Sequence, residues 1–127
     1  IFELINIPLE NVYGLDLAFS VQLEFHKIPF KHIDNYTCHR DIDDNNTFLL
    51  KSKEASITIR NLYDQGLINP KQSKLIWAYI LIKKLHLIKI VKLKGRLLSP
   101  LIYWMLNNFR APLITLDFYK LYHFCKK

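Results

Sequence analysis

Proline and glycine cut this sequence into short segments, and those cuts constrain the fold more than any other feature. Proline lacks an amide hydrogen and fixes φ, so it ends or interrupts regular elements, while glycine commonly closes helices. The prolines stand at Pro8, Pro29, Pro70, Pro100 and Pro112, and the only glycines are Gly14, Gly66 and Gly95. The opening run Ile1-Phe2-Glu3-Leu4-Ile5-Asn6-Ile7 alternates loosely up to Pro8, as a strand would. From Asn11 to Lys27 the apolar positions Leu15, Leu17, Ala18, Val21, Leu23 and Phe25 crowd one side, which predicts an amphipathic helix closed by Ile28-Pro29. Phe30-Lys31-His32-Ile33 alternates again. A strand, a helix and a second strand in this order predict a βαβ unit.

Residues 34–47 are polar and rich in Asp and Asn, and they read as a solvated loop. Asp41, Asp43 and Asn45 alternate as calcium ligands do, but Asn46 stands where such a loop needs Gly and Ser52 where it needs Glu. Phe48-Leu49-Leu50 predicts a short strand. Ser52 or Ser56 is the expected cap of a helix over 55–65, with Gly66 as its stop. Asn69-Pro70 restarts the chain, and a helix is expected from Ser73. Its continuous apolar block, Leu75 to Ile82, is far too short to cross a bilayer and reads as a core helix. Residues 85–94 fit helix or strand equally. Gly95 is expected to break that element and Pro100 to begin an aromatic helix over 101–109. Pro112 interrupts it, and Leu113 to Cys125 closes the chain.

At 127 residues, half of them hydrophobic, the chain suffices for one domain with a real core. Because it opens at Ile1, its N-terminus is expected to be cleaved, trimmed or unseen. Cys38 and Cys125 are too few for a disulfide framework or a zinc site, and two reduced thiols are expected. Asn35-Tyr36-Thr37 and Asn45-Asn46-Thr47 match the glycosylation pattern, as an Asn-rich chain will by chance.

No phosphate loop, dinucleotide fingerprint or nucleophile elbow is present. His26, His32, His39, His86 and His123 are scattered, and Cys38-His39 alone supplies neither a metal site nor a convincing catalytic pair. No enzyme, cofactor, metal or small-molecule substrate is expected.

The charge is sharply divided. Residues 1–66 hold six Lys/Arg against ten Asp/Glu, whereas residues 67–127 hold twelve against the single acid Asp117. The net charge of +7 therefore conceals a strongly cationic second half. Such a field attracts RNA, anionic lipid or an acidic protein surface. The candidate binding residues are Lys83, Lys84, Lys89, Lys92, Lys94 and Arg96, with Leu85, Leu87, Ile88, Ile90 and Val91 expected to anchor the segment inward. Lysines serve backbone phosphates as point charges. Tyr103, Trp104, Phe109, Phe118, Tyr119, Tyr122 and Phe124 are candidates for stacking on bases or for the core.

The stretch Leu15 to Ile33, ending His26-Lys27-Ile28-Pro29-Phe30-Lys31-His32-Ile33, is similar to the first helix of glutathione transferases and its step into the second strand. Ser56-Ile57-Thr58-Ile59-Arg60-Asn61-Leu62-Tyr63 resembles that family's "Ser-x-Ala-Ile-x-x-Tyr-Leu" helix start. The chain thus resembles a degenerate glutathione-transferase-type domain. Ile7-Pro8 and Gly14-Leu15-Asp16-Leu17 bring it nearest the non-catalytic metaxin-like branch of mitochondrial outer-membrane assembly proteins. The resemblance implies an α-rich α/β fold: a thioredoxin-like βαβ half over 1–66, then a truncated all-helical half over 67–127, packed as one unit. It implies no glutathione chemistry, because the "Val-Pro" step is missing between Asn35 and Leu50 and Ala55 replaces the acid before Ser56. Only Asn11 to Tyr13 could supply a catalytic side chain after the first strand.

The expected function is a non-enzymatic scaffold domain, cytoplasmic or on a mitochondrial or other organellar surface. It docks protein partners in a larger assembly through its basic C-terminal surface. The alternative is a ribosome- or RNA-associated factor held by Lys83–Arg96, and an anionic membrane surface is a third partner for the same face.

Overall fold

The structure, a computed structural model, describes residues 13–29, 31, 43–108 and 111–126. They form five α-helices: α1 (Leu15–Phe25), α2 (Asn45–Asp64), α3 (Lys74–Lys84), α4 (Ile88–Asn108) and α5 (Leu113–Lys126). A single 3-10 turn, Pro70–Gln72, precedes α3.

Local signals explain most of the boundaries. Asp44 caps α2, its carboxylate accepting the Thr47 amide at 2.6 Å, and that bond stabilises the charged form and holds its pKa below the ordinary carboxylate range. At the other end Gly66 takes a left-handed φ of 74°, so the Leu67 amide reaches back to the Leu62 carbonyl at 2.9 Å. This closure returns the chain toward the core and satisfies a carbonyl the helix leaves open. The same closure ends α1 and α3, but with Lys27 (φ 51°) and His86 (φ 58°) in the left-handed position. Around the 3-10 turn, the Asn69 side chain accepts the Lys71 amide while Gln72 accepts the Asn69 amide at 2.8 Å.

The core is assembled around α5, which packs on α2, α3 and α4. Phe124 and Cys125 meet Leu62 of α2, Ile76 and Tyr79 of α3, and Ile68. Phe124, Leu62 and Ile76 are completely buried. Each such side chain contributes about 1.5–3 kcal/mol by leaving water. The Tyr79 ring lies 5.2 Å from Phe124, and the Arg60 guanidinium sits 4.3 Å above Tyr79 while its Nε donates to Asp64 at 2.9 Å. α1 lies on α2, tied near its end by the Gln72 side-chain amide, which donates to the Glu24 carboxylate at 3.0 Å.

The expected α/β architecture is overturned. Among the described residues there is no strand and no sheet. Phe48-Leu49-Leu50 lies in the first turns of α2, where Leu49 is buried while Phe48 and Leu50 are exposed. Three adjacent apolar residues read as a strand in a short window. Over the full helix, Leu49, Ser56, Ile59 and Tyr63 recur on one side, and Asp44, within the expected loop, supplies the start. Ser52 and Ser56 are therefore interior residues rather than caps, the Ser56 hydroxyl donating to the Ser52 carbonyl at 2.7 Å. The expected strands at 1–7 and 30–33 fall outside the described residues, Lys31 apart, and Lys31 lies in no regular element.

Gly95 and Pro100 are also corrected. Neither ends a helix, and α4 runs through both for 21 residues. Gly95 is buried against α5, where a β-carbon would stand 2.1 Å from Cδ2 of Tyr122. The glycine is there for close helix approach, not as a stop. Pro100 is exposed within α4 and leaves the Arg96 carbonyl without its usual amide donor.

Candidate functional site

The outward face of α4 follows from how its inward face is pinned. Gly95 lies under the Tyr122 ring, and Ile88 and Val91 pack against the core. At about 100° per residue, the side away from α5 then carries Ile90, Leu93, Leu97, Leu101 and Trp104. All five are between 48% and 70% exposed, with Leu97 the most open. Leu98 widens this ridge, and Leu85 and Leu87 extend it across the α3–α4 turn, all three exposed. Large apolar residues aligned along one helix face make a continuous apolar patch, which makes this face the candidate contact surface.

Of the six predicted basic residues, two stand on α3 and four on α4. Lys83 and Lys84 occupy the last turn of α3, where cations complement the carbonyl end of the helix. Lys89 and Arg96 are exposed along one edge of the α4 ridge, and Lys94 is exposed about 60° from its centre on the other side, next to Leu101. Lys92 is set apart, half-buried on the flank toward α5, where its charge reaches the Cys125 thiol. Burial, the stronger influence, pushes that thiol up. The ion pairs Lys51–Asp43 at 2.6 Å and Arg60–Asp64 at 2.9 Å lie within 43–64.

The expected inward anchors divide. Ile88 and Val91 turn inward, but Leu85, Leu87 and Ile90 are exposed. Of the candidate stacking rings, Tyr119, Tyr122 and Phe124 are core residues. Phe118 lines a groove described below, and the Tyr103 hydroxyl donates to the Asn46 side chain. Trp104 faces outward on the ridge, and Phe109 falls outside the described residues. Sequence reasoning missed the ridge. Its signal was present as the spacing 90, 93, 97, 101 and 104, which becomes visible only when Gly95 and Pro100 are allowed inside one helix.

The remaining chemistry-bearing residues have structural surroundings. Asp43 pairs with Lys51 and Asp44 caps α2, while Asp41 and Cys38 lie outside the described residues. His123 is only 7% exposed, wedged between the Tyr119 and Tyr122 rings, and its Nδ1 has no hydrogen-bond partner. Burial, reinforced by Lys53 and Lys126, lowers its pKa to about 4. A groove of about 900 Å³ between α2, α3 and α5 is lined by Ala55, Ile59, Leu75, Trp77 and Phe118 among others. Lys74, Asp117 and Lys120 also line it.

Among the described residues, no helix is long and apolar enough to cross a membrane. No protein-family model, curated protein or solved structure matches the chain.

Proposed function

We propose that this chain is a non-enzymatic interaction domain that docks a protein partner of a larger assembly through the outward face of α4. The observation that carries the proposal is the exposed row Ile90, Leu93, Leu97, Leu101 and Trp104, bordered by Lys89, Lys94 and Arg96. Leaving such a row in water forgoes about 25 cal/mol for every Å² of apolar surface that a partner could cover. The surrounding cations add attraction and orientation over a second half that holds one acid, Asp117. A phosphate backbone would engage the cations but gain little from the leucines between them. The RNA alternative therefore has the weaker support.

The test is affinity capture from the native source with the tagged chain, compared with a Leu93→Asp/Leu97→Asp variant and a Lys71→Glu control on a different surface. Both variants replace exposed residues, and far-UV circular dichroism checks that they fold. The expected result is a stoichiometric protein partner retained by the control and lost by the ridge variant. Equal retention by all three forms, or capture that disappears on ribonuclease treatment, overturns the proposal.

A further inference from the structure

Resting on that docking surface, the geometry points to the class of partner: we infer that α4 receives an amphipathic helix that carries carboxylates along both edges of an apolar seam. Ile90, Leu93, Leu97, Leu101 and Trp104 follow one another at intervals of three or four. That is the spacing by which one helix meets another along a continuous seam. Lys89 and Arg96 each immediately precede a seam residue, and Lys94 immediately follows one. These are the flanking positions from which charged side chains reach across to the facing helix and select it. All three are cationic and exposed. A facing helix must therefore offer Glu or Asp at the corresponding positions.

The same charges decide against two other occupants. A second copy of α4 would bring Lys89, Lys94 and Arg96 against their equivalents in either orientation, and like-charge juxtaposition disfavours that pairing. An anionic bilayer would attract the cations, but Lys94 lies inside the apolar arc with Leu98, Leu101 and Ile90 on either side of it. Sinking the ridge into lipid would take that ammonium toward the acyl boundary. A facing carboxylate instead neutralises it in place.

Three synthetic heptad peptides serve as probes: one with leucine at the seam and glutamate at the flanks, its lysine-flanked counterpart, and a scrambled control. Binding to the full chain is followed by fluorescence anisotropy, with vesicles rich in phosphatidylserine run in parallel. The acidic peptide is expected to bind, weakening about tenfold from low to physiological ionic strength, while the other two peptides and the vesicles do not. A Lys94→Glu/Arg96→Glu variant should lose the acidic peptide by at least about tenfold and gain the lysine peptide. Equal binding of both charged peptides, no binding of the acidic one, or preferential vesicle binding overturns the inference. Should the Leu93→Asp/Leu97→Asp variant lose its native partner while the acidic peptide fails to bind, the docking surface stands and the helical acidic partner falls. If the variant also keeps its partner, both fall.

Discussion

Replacing Gly95 with alanine isolates the contact that holds α4 against α5. In an open helix the substitution would be favourable by about 1 kcal/mol, because alanine is the better helix former. Here the new β-carbon would lie 2.1, 2.5 and 2.7 Å from three carbons of the Tyr122 ring. Carbon atoms rest about 3.5–4.0 Å apart, so the ring or the whole of α5 must retreat by more than 1 Å. Tyr122 is only 7% exposed, which leaves the ring little free space. Overpacking of this kind costs about 3 kcal/mol, at the upper end of its usual range, so the expected net loss is about 2 kcal/mol after the helix gain. Urea denaturation followed by circular dichroism reads this as a midpoint shift of about 1 M at unchanged slope. The decisive comparison repeats Gly95→Ala in a Tyr122→Ala background, where the obstructing ring is gone. There the same change should stabilise by about 1 kcal/mol, a reversal of sign and a coupling of about 3 kcal/mol. A Gly95→Ala protein more stable than the parent, or the same cost in both backgrounds, would refute the close-approach argument.

Three further outcomes are expected. His123 is buried and neutral, with a folded pKa of about 4. Below the ordinary histidine pKa of about 6.5 the unfolded chain therefore binds the proton more readily, and stability should fall between pH 6.5 and 4 by up to about 3 kcal/mol. In denaturation profiles at several pH values, a His123→Leu variant should lack that component while keeping the response of the other groups. His86 holds a left-handed φ of 58° at the turn after α3. His86→Gly should stabilise by about 0.5–1 kcal/mol, read as a thermal midpoint a few degrees higher, and an unchanged or lower midpoint would contradict the assigned turn. Pro100 interrupts the amide ladder of α4 at an exposed position. Pro100→Ala should raise stability by about 2 kcal/mol and slightly increase helix content, whereas a helix that really ended there would gain nothing.

How much of this was legible in the sequence depended on whether the deciding interaction was local. The body of α1, the stop at Gly66, the restart at Asn69-Pro70, and the helix beginning at Leu113 are encoded by periodicity and capping within a few residues. Gly95 differs because a helix-breaking glycine and one that admits a neighbouring ring look the same in sequence until Tyr122, 27 residues later, is set against it. Asp44 was lost among surrounding acids and asparagines, although it is the residue that starts α2. Its helix carries Phe48-Leu49-Leu50 and the family-like Ser56–Tyr63 stretch in its interior, so that stretch does not mark a helix start. For the candidate site, the cations were visible from composition alone. The apolar row between them was not, since its continuity depends on helix persisting through both a glycine and a proline.

The position of α5 at the end of this helix series has a kinetic consequence. A ribosome finishes α2, α3 and α4 before α5 exists. Until residues 113–126 leave the exit tunnel, Leu62, Ile76 and Tyr79 lack Phe124, and Gly95 faces no ring. The nascent chain therefore passes through an interval in which several helices are synthesised but their shared interior stays wet, a state that attracts chaperones. Maturation of this core should be abrupt, triggered by emergence of α5 rather than spread along synthesis.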